Sequence, residues 1–175
     1  MRAPASWCWR VWNSPGGAFD PTIASVKWLW EFDKDGRIPA KGEIDDALET
    51  VGFSAVCLNG NTLGLGLEGT KLDLGGIAKG YIVDRLISLL KENGVKSGLI
   101  NAGGDIYTFG KKSNGDDWII GLRHPWMDKS YVLDHIPLPA VATSGDYERY
   151  FMREGVRYHH ILDPLTGYPA RRSVS

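Results

Sequence analysis

The chain has 175 residues, enough for one domain or for two small lobes sharing a core. Its 43% apolar and 23% charged residues exclude disorder, collagen and coiled coil. Lys plus Arg (20) nearly balance Asp plus Glu (21), a net charge of −1, which leaves no polybasic footprint for nucleic acid or an anionic membrane surface.

Residues 1–13 carry Trp7, Cys8, Trp9 and Trp12 with no clear period. No apolar h-region precedes Cys8, so the start reads as neither a signal peptide nor a lipoprotein signal. No run of roughly 18 apolar residues offers a membrane span. Cys8 and Cys57 lack CxxC spacing and read as free thiols rather than zinc ligands. Ser14-Pro15-Gly16-Gly17 is a breaker cluster, and Pro21 biases Asp20 away from the helical region. The apolar run 23–30 predicts a helix and Asp33-Lys34-Asp35-Gly36 a turn. Residues 43–51 predict a short helix with Ile44, Ala47, Leu48 and Val51 on one face, ended by Gly52. Runs 53–58 and 62–67, joined by Asn59-Gly60-Asn61, predict a hairpin.

Residues 71–74 read as a strand end, and Gly75-Gly76 opens the clearest helix. Ala78, Ile82, Leu86 and Leu89/Leu90 follow its 3.6 period, and Asn93-Gly94 ends it. Strands are expected at 98–101, 106–109, 118–122, 131–136, 140–143 and 157–162. Residues 147–152 suit a short turn of helix or a strand. Hairpins beside one long helix predict an α+β chain rather than βαβ alternation.

Glycine is in excess, 22 of 175 residues against a usual ~7%, and the excess is clustered. Residues 16–20, 73–80, 101–105 and 143–146 each place small residues and an acid at the end of an apolar run, and 159–169 adds histidine. Glycines at a strand-to-helix junction let backbone N–H groups approach a ligand. The helix N-terminus favours an anion, and Lys79 adds a cation. Residues 73–93 therefore point to a phosphate-bearing ligand. The same diglycines also satisfy ordinary turn geometry, and Lys79 also suits a solvated first turn. Several such loops in one short chain favour a ligand site. Neither GxxxxGK[ST] nor GxGxxG occurs. His159 and His160 face opposite sides of a strand, so one can enter a cleft while the other is core or solvent. A satisfied structural histidine is the competing reading for both. Asp73, at a strand end before glycines, is a better candidate than a surface acid, whereas Asp163 before Pro164 reads as a turn-former. His124 and His135 have no assigned role, and the early tryptophans read as packing.

In this order the five clusters resemble the ApbE family of FAD:protein FMN transferases. The matching stretches are GGAFDPT (16–22), LDLGGIAKGYIVD (72–84), NAGGDI (101–106), ATSGDYERYF (142–151) and HHILDPLTGYP (159–169). The likeness runs from about residue 13 onward. It implies a partial family domain over 14–175, with 1–13 a Trp-rich start of unknown status. The resemblance implies an α+β fold with mixed and antiparallel sheets, one long central helix at about 75–93, and a FAD cleft between lobes. It implies an enzyme that uses Mg2+ to cleave the FAD pyrophosphate, passes FMN to a Ser or Thr hydroxyl of an acceptor protein and releases AMP. The expected partner is a flavin-acceptor protein such as a redox-pump or electron-transfer subunit, with no nucleic acid and no membrane span.

By matching position, Ala18, Phe19 and Asp20 would line the flavin site and Asp73 would bind FAD. Lys79 and Gly80 would sit by the phosphates, and Gly103, Gly104 and Asp105 would shape the cleft. Ala78 would offer its backbone carbonyl to the metal. His160, beside Ile161, would contact FAD, with His160 the general base for the incoming hydroxyl. The chemistry agrees: a divalent metal and a helix N-terminus stabilise charge on a breaking pyrophosphate, and a histidine titrating near neutrality takes a hydroxyl proton. The family usually begins upstream, with a segment that helps cover the flavin. It also continues past HHILDP into a segment whose Asp and Thr ligate the metal. The chain is therefore expected to be the middle of a larger enzyme, with no side-chain metal ligand assignable. A non-catalytic or degenerate FAD-binding protein and a FAD pyrophosphatase are the competing readings. A flavin oxidoreductase finds neither a nicotinamide site nor a redox-active Cys pair here. Family members are often exported or anchored in the bacterial cell envelope.

Overall fold

A computed structural model of the chain describes residues 17–32, 36–124, 127–133 and 139–171. In chain order these form α1 (Ala24–Lys27), α2 (Lys41–Leu48), a 3-10 turn (Phe53–Ala55), β1 (Val56–Asn59), β2 (Thr62–Leu65), α3 (Gly75–Glu92), β3 (Gly98–Ala102), β4 (Asp105–Phe109), β5 (Ile120–Arg123), β6 (Ser130–Leu133), β7 (Ala140–Val141), β8 (Tyr150–Arg153) and β9 (Val156–His159). Every paired strand is antiparallel, in sheets β1-β2, β3-β4-β7, β5-β6 and β8-β9. The α+β class and the long helix expected from the sequence are both present.

The chain divides into two compact units. One takes the described residues up to Ile77 and those from Asp146 onward; the other runs from Ala78 to Gly145. The core of the first unit gathers Val26, Trp30, Phe32, Ile44 and Phe151, with Leu48, Tyr158 and Tyr168 packed against it. Trp30 stacks on Phe32 at 5.8 Å between ring centroids and meets Tyr168 edge-on at 5.7 Å. Its indole N–H donates to the carbonyl of Gly167 at 3.0 Å. A buried Trp keeps its polar tip only when that tip finds an acceptor. A smaller cluster sets Phe53 and Val56 against Leu72, Leu74 and Ile77. In the second unit, Val83 and Ile87 of α3 pack on Ile100, Ala102, Tyr107 and Phe109 of β3-β4.

The boundaries move where side chains compete with period. The expected helix at 23–30 is the four-residue α1, because the chain tightens into i→i+3 bonds at Leu29 and Trp30 and Trp30 enters the core. α2 begins at Lys41 rather than 43, because the Glu43 carboxylate reaches back to the Ala40 N–H at 2.8 Å and caps the helix ahead of its apolar stripe. Phe53–Ala55 form a 3-10 turn that buries Phe53, so the first hairpin starts at Val56. Residues 71–74 supply only the parallel bridge Ile23–Lys71. Beyond His159 the expected last strand gives way to the isolated bridge Leu162–Pro169. Of residues 147–152, the first three form a turn and the rest open strand β8. α3 ends at Asn93-Gly94 as expected: Gly94 (φ +82°) donates to the Lys91 carbonyl and Val95 to Leu90, a Schellman cap. Trp7, Cys8, Trp9, Trp12, Gly16, residues 33–35 and residues 134–138 (including His135) lie outside the described residues.

Candidate functional site

In the first unit the segment 19–27 is laid against 71–76. Asp20 accepts from the Thr22 N–H at 2.8 Å and hydroxyl at 2.5 Å through Oδ1, and from the Phe53 N–H at 3.1 Å through Oδ2. The fully buried Thr22 hydroxyl in turn accepts from the Gly52 N–H at 2.8 Å. These bonds fix the loop that carries Phe19 and Pro21. The Pro21 carbonyl takes the Asp73 N–H at 2.8 Å, and the Phe19 ring lies 2.9 Å from where a Gly76 Cβ would stand. Lys27, the last residue of α1, closes the arrangement by donating to Asp73 Oδ2.

Asp73 is half-buried, and Oδ1 accepts from the Gly75 N–H at 2.7 Å. Burial pushes its carboxyl up. The Lys27 ammonium and the Gly75 N–H outweigh that, and its pKa lies below the ordinary carboxylate value. Arg149, just before β8, also favours the ionised form. The Arg149 carbonyl accepts from His160 Nδ1 at 3.2 Å and from the His160 backbone N–H at 3.2 Å. A carbonyl only accepts, so Nδ1 of the neutral ring carries the proton and Nε2 presents its lone pair. Burial holds the His160 pKa below its ordinary value, and the Lys27 and Arg149 charges add to that lowering. Lys27 and Arg149 are the two cations that act on both Asp73 and His160.

In the second unit Lys79 lies on α3, and its ammonium pairs with the Asp105 carboxylate at 2.7 Å. Gly103 and Gly104, both at positive φ, form the two-residue turn between Ala102 and Asp105. That turn needs left-handed backbone at both positions, and the Asn101 side chain accepts from the Gly104 N–H at 2.8 Å. The glycines of NAGGDI thus have a local reason to be glycine. Gly80 has none: a Cβ there would meet nothing within 4 Å among the described residues.

Of the remaining sequence candidates, Ala18 is exposed and the Ile161 carbonyl accepts from the Ala170 N–H at 2.9 Å. His159 is buried and its Nε2 donates to the Ala170 carbonyl at 2.9 Å. Asp163 makes a turn, accepting from the Leu165 N–H at 2.9 Å. Lys27 and Arg149 were not singled out by the sequence. Lys27 had a signal: it is the one cation in the apolar run IASVKWLW, where a charge needs a partner. Arg149 lacked one, since it reaches His160 only at the open end of the β8-β9 pair, beyond Tyr150 and His159.

The magnesium implied by the resemblance does not find a cage here. Among the described residues no group of three or more His, Cys, Asp or Glu side chains could hold a metal ion. Ala78 lies inside α3, where each carbonyl accepts the N–H four residues on. Asp73 and Asp105 are each ion-paired. Such a set is short of the six hard oxygens that Mg2+ takes.

Comparison with known proteins gives consistent likenesses. A family model described as the ApbE family matches residues 6–175. A FAD:protein FMN transferase from Treponema pallidum is 36% identical over 178 residues, covering 91% of this chain and 49% of that protein. One from Klebsiella pneumoniae is 39% identical over 157 residues, covering 87% and 48%. The crystal structure of the ApbE protein from Thermotoga maritima aligns with a TM-score of 0.83 at 40% identity, covering 95% of this chain and 56% of that one. The flavin transferase ApbE from Vibrio cholerae aligns at 0.82 and 30% identity, covering 95% and 54%. The chain spans about half the length of the curated relatives it matches.

Proposed function

The chain belongs to the ApbE family, and on that premise we propose that it carries the flavin-phosphate site and the general base of a FAD:protein FMN transferase. The observation that supports this most directly is His160, whose Nδ1–H is committed to the Arg149 carbonyl while burial keeps the ring neutral. A neutral imidazole with one free lone pair is what a hydroxyl nucleophile requires. In this reading the Ser or Thr hydroxyl of an acceptor protein gives its proton to His160 Nε2. Its oxygen bonds to the FMN phosphorus, the anhydride bond breaks, and AMP leaves with the bridging oxygen. Lys79 of α3 is the candidate cation for the phosphates, and Lys27 and Arg149 are the cations that act on Asp73 and His160. Ala18, Phe19, Asp20 and Asp73 line and hold the flavin side, with Gly103, Gly104 and Ile161 as further contacts.

The test is incubation of the chain with FAD, Mg2+ and a flavin-acceptor domain. Covalent flavin fluorescence on the acceptor with stoichiometric AMP is expected, and His160→Ala should remove transfer while FAD still binds. Transfer that persists in His160→Ala would overturn the assignment of the base. FMN and AMP formed without an acceptor would instead identify a pyrophosphatase. The incomplete metal donor set favours a second reading, a FAD-binding part without turnover. FAD binding that ignores Mg2+, with no product, would identify it.

A further inference from the structure

We propose that Lys27 is a positioning residue that fixes the Asp73 carboxylate at the start of α3. The ligand it prepares for rests on the flavin reading above; the contact itself does not. Lys27 follows Ala24, Ser25 and Val26, all buried, and its own side chain is only 28% exposed. An ammonium held that close to a core loses hydration and persists there when paired. It donates to Asp73 Oδ2 while the Gly75 N–H binds Oδ1 at 2.7 Å and the Pro21 carbonyl holds the Asp73 N–H at 2.8 Å.

Without Lys27, one N–H on Oδ1 would leave the carboxylate free to turn, because the terminal torsion of Asp is broad. With it, both oxygens are fixed. Each oxygen has two lone-pair directions and spends one, so the carboxylate keeps a fixed acceptor direction for a ligand donor without reorganising. The charges acting on Asp73 are Lys27 and Arg149; both also act on His160, together with His159. Lys27 therefore bears on the acid and on the base, and Asp73 is the group it touches.

The test uses Lys27→Met and Lys27→Arg in the full chain. In ligand-free protein, the side-chain carboxyl carbon of Asp73 followed by NMR should titrate at higher pH in Lys27→Met and return toward the wild-type midpoint in Lys27→Arg. An unchanged midpoint in Lys27→Met would overturn the proposal. In fluorescence titrations, Lys27→Met should weaken FAD binding on the order of tenfold, and adding it to Asp73→Asn should cause no further loss. Additive losses would overturn the positioning role. The double variant removes both charges, so it leaves no unpaired acid and keeps the measurement possible should Lys27→Met unfold. If wild type does not bind FAD, the flavin reading falls, and the ligand-free titration still decides Lys27.

Discussion

Gly75, Gly76 and Gly80 open the same helix, yet different things hold them to glycine. A Cβ at Gly75 would stand 2.9 Å from Asp73 Oδ1, and one at Gly76 would stand 2.9 Å from the Phe19 ring. Around Gly80 the described residues leave open space. Glycine inside a helix is less stable than alanine by about 0.5–1 kcal/mol, so Gly80 carries a local penalty that nothing else in the described structure requires. Gly80→Ala should therefore raise the melting temperature by a few degrees while weakening FAD binding. A stabilised variant of unchanged affinity would remove Gly80 from the phosphate site. The base makes its own prediction. Because burial lowers the His160 pKa, flavin transfer should hold its rate below pH 6.5, the ordinary histidine value, and fall only at lower pH. A rate that halves near or above that value would contradict the burial argument.

Among the elements, the histidine-bearing stretch 159–169 divides into two jobs. Its first half brings His160 to the Arg149 carbonyl. Its second half closes the core: Gly167 (φ +71°) has Ile44 Cγ2 at 2.6 Å and Val26 Cγ1 at 3.1 Å from where a Cβ would stand, and its carbonyl accepts from Trp30. Gly167→Ala combines left-handed strain of about 1–2 kcal/mol with overpacking of about 1–3 kcal/mol. A loss of about 2–5 kcal/mol in urea unfolding is expected; a loss under 1 kcal/mol would mean that the core yields there. The acids divide in the same way. Asp20 spends both oxygens on pinning backbone, whereas Asp73 and Asp105 each face a lysine. Asp105→Asn should free Lys79 and change FAD affinity more than stability, since Lys79 is 53% exposed and such pairs contribute about 0–1 kcal/mol.

For the whole molecule, the lowered pKa values of His160 and Asp73 give stability an acid-side dependence. His160 titrates lower in the folded chain than its ordinary value, so its contribution is complete above about pH 6.5 and is lost as pH falls through the folded value. Asp73 behaves likewise at a lower window, complete above the ordinary carboxylate value of about 3.9 and lost below it. Urea midpoints followed from pH 7 to pH 3 should decline in both windows, with His160→Gln removing the upper decline. A flat profile down to pH 4 in wild type would contradict the His160 shift.

The sequence by itself determined the α+β class, the long helix with its Gly94 cap, the hairpins, and five motif stretches in an order that marks the family. Those features rest on local rules: periodicity, left-handed turns and caps depend on neighbours in the chain. Only the tertiary structure decided which acids are engaged by backbone and which by lysine, that His159 is buried while His160 sets its Nδ1 on the Arg149 carbonyl, and that Gly76 and Gly167 answer to Phe19 and Ile44. It also brought in Lys27 and Arg149, on segments distant from Asp73 and His160 in the chain. The physical reason is that hydrogen-bond partners and desolvation are set by what packs alongside, which spacing along the chain does not encode.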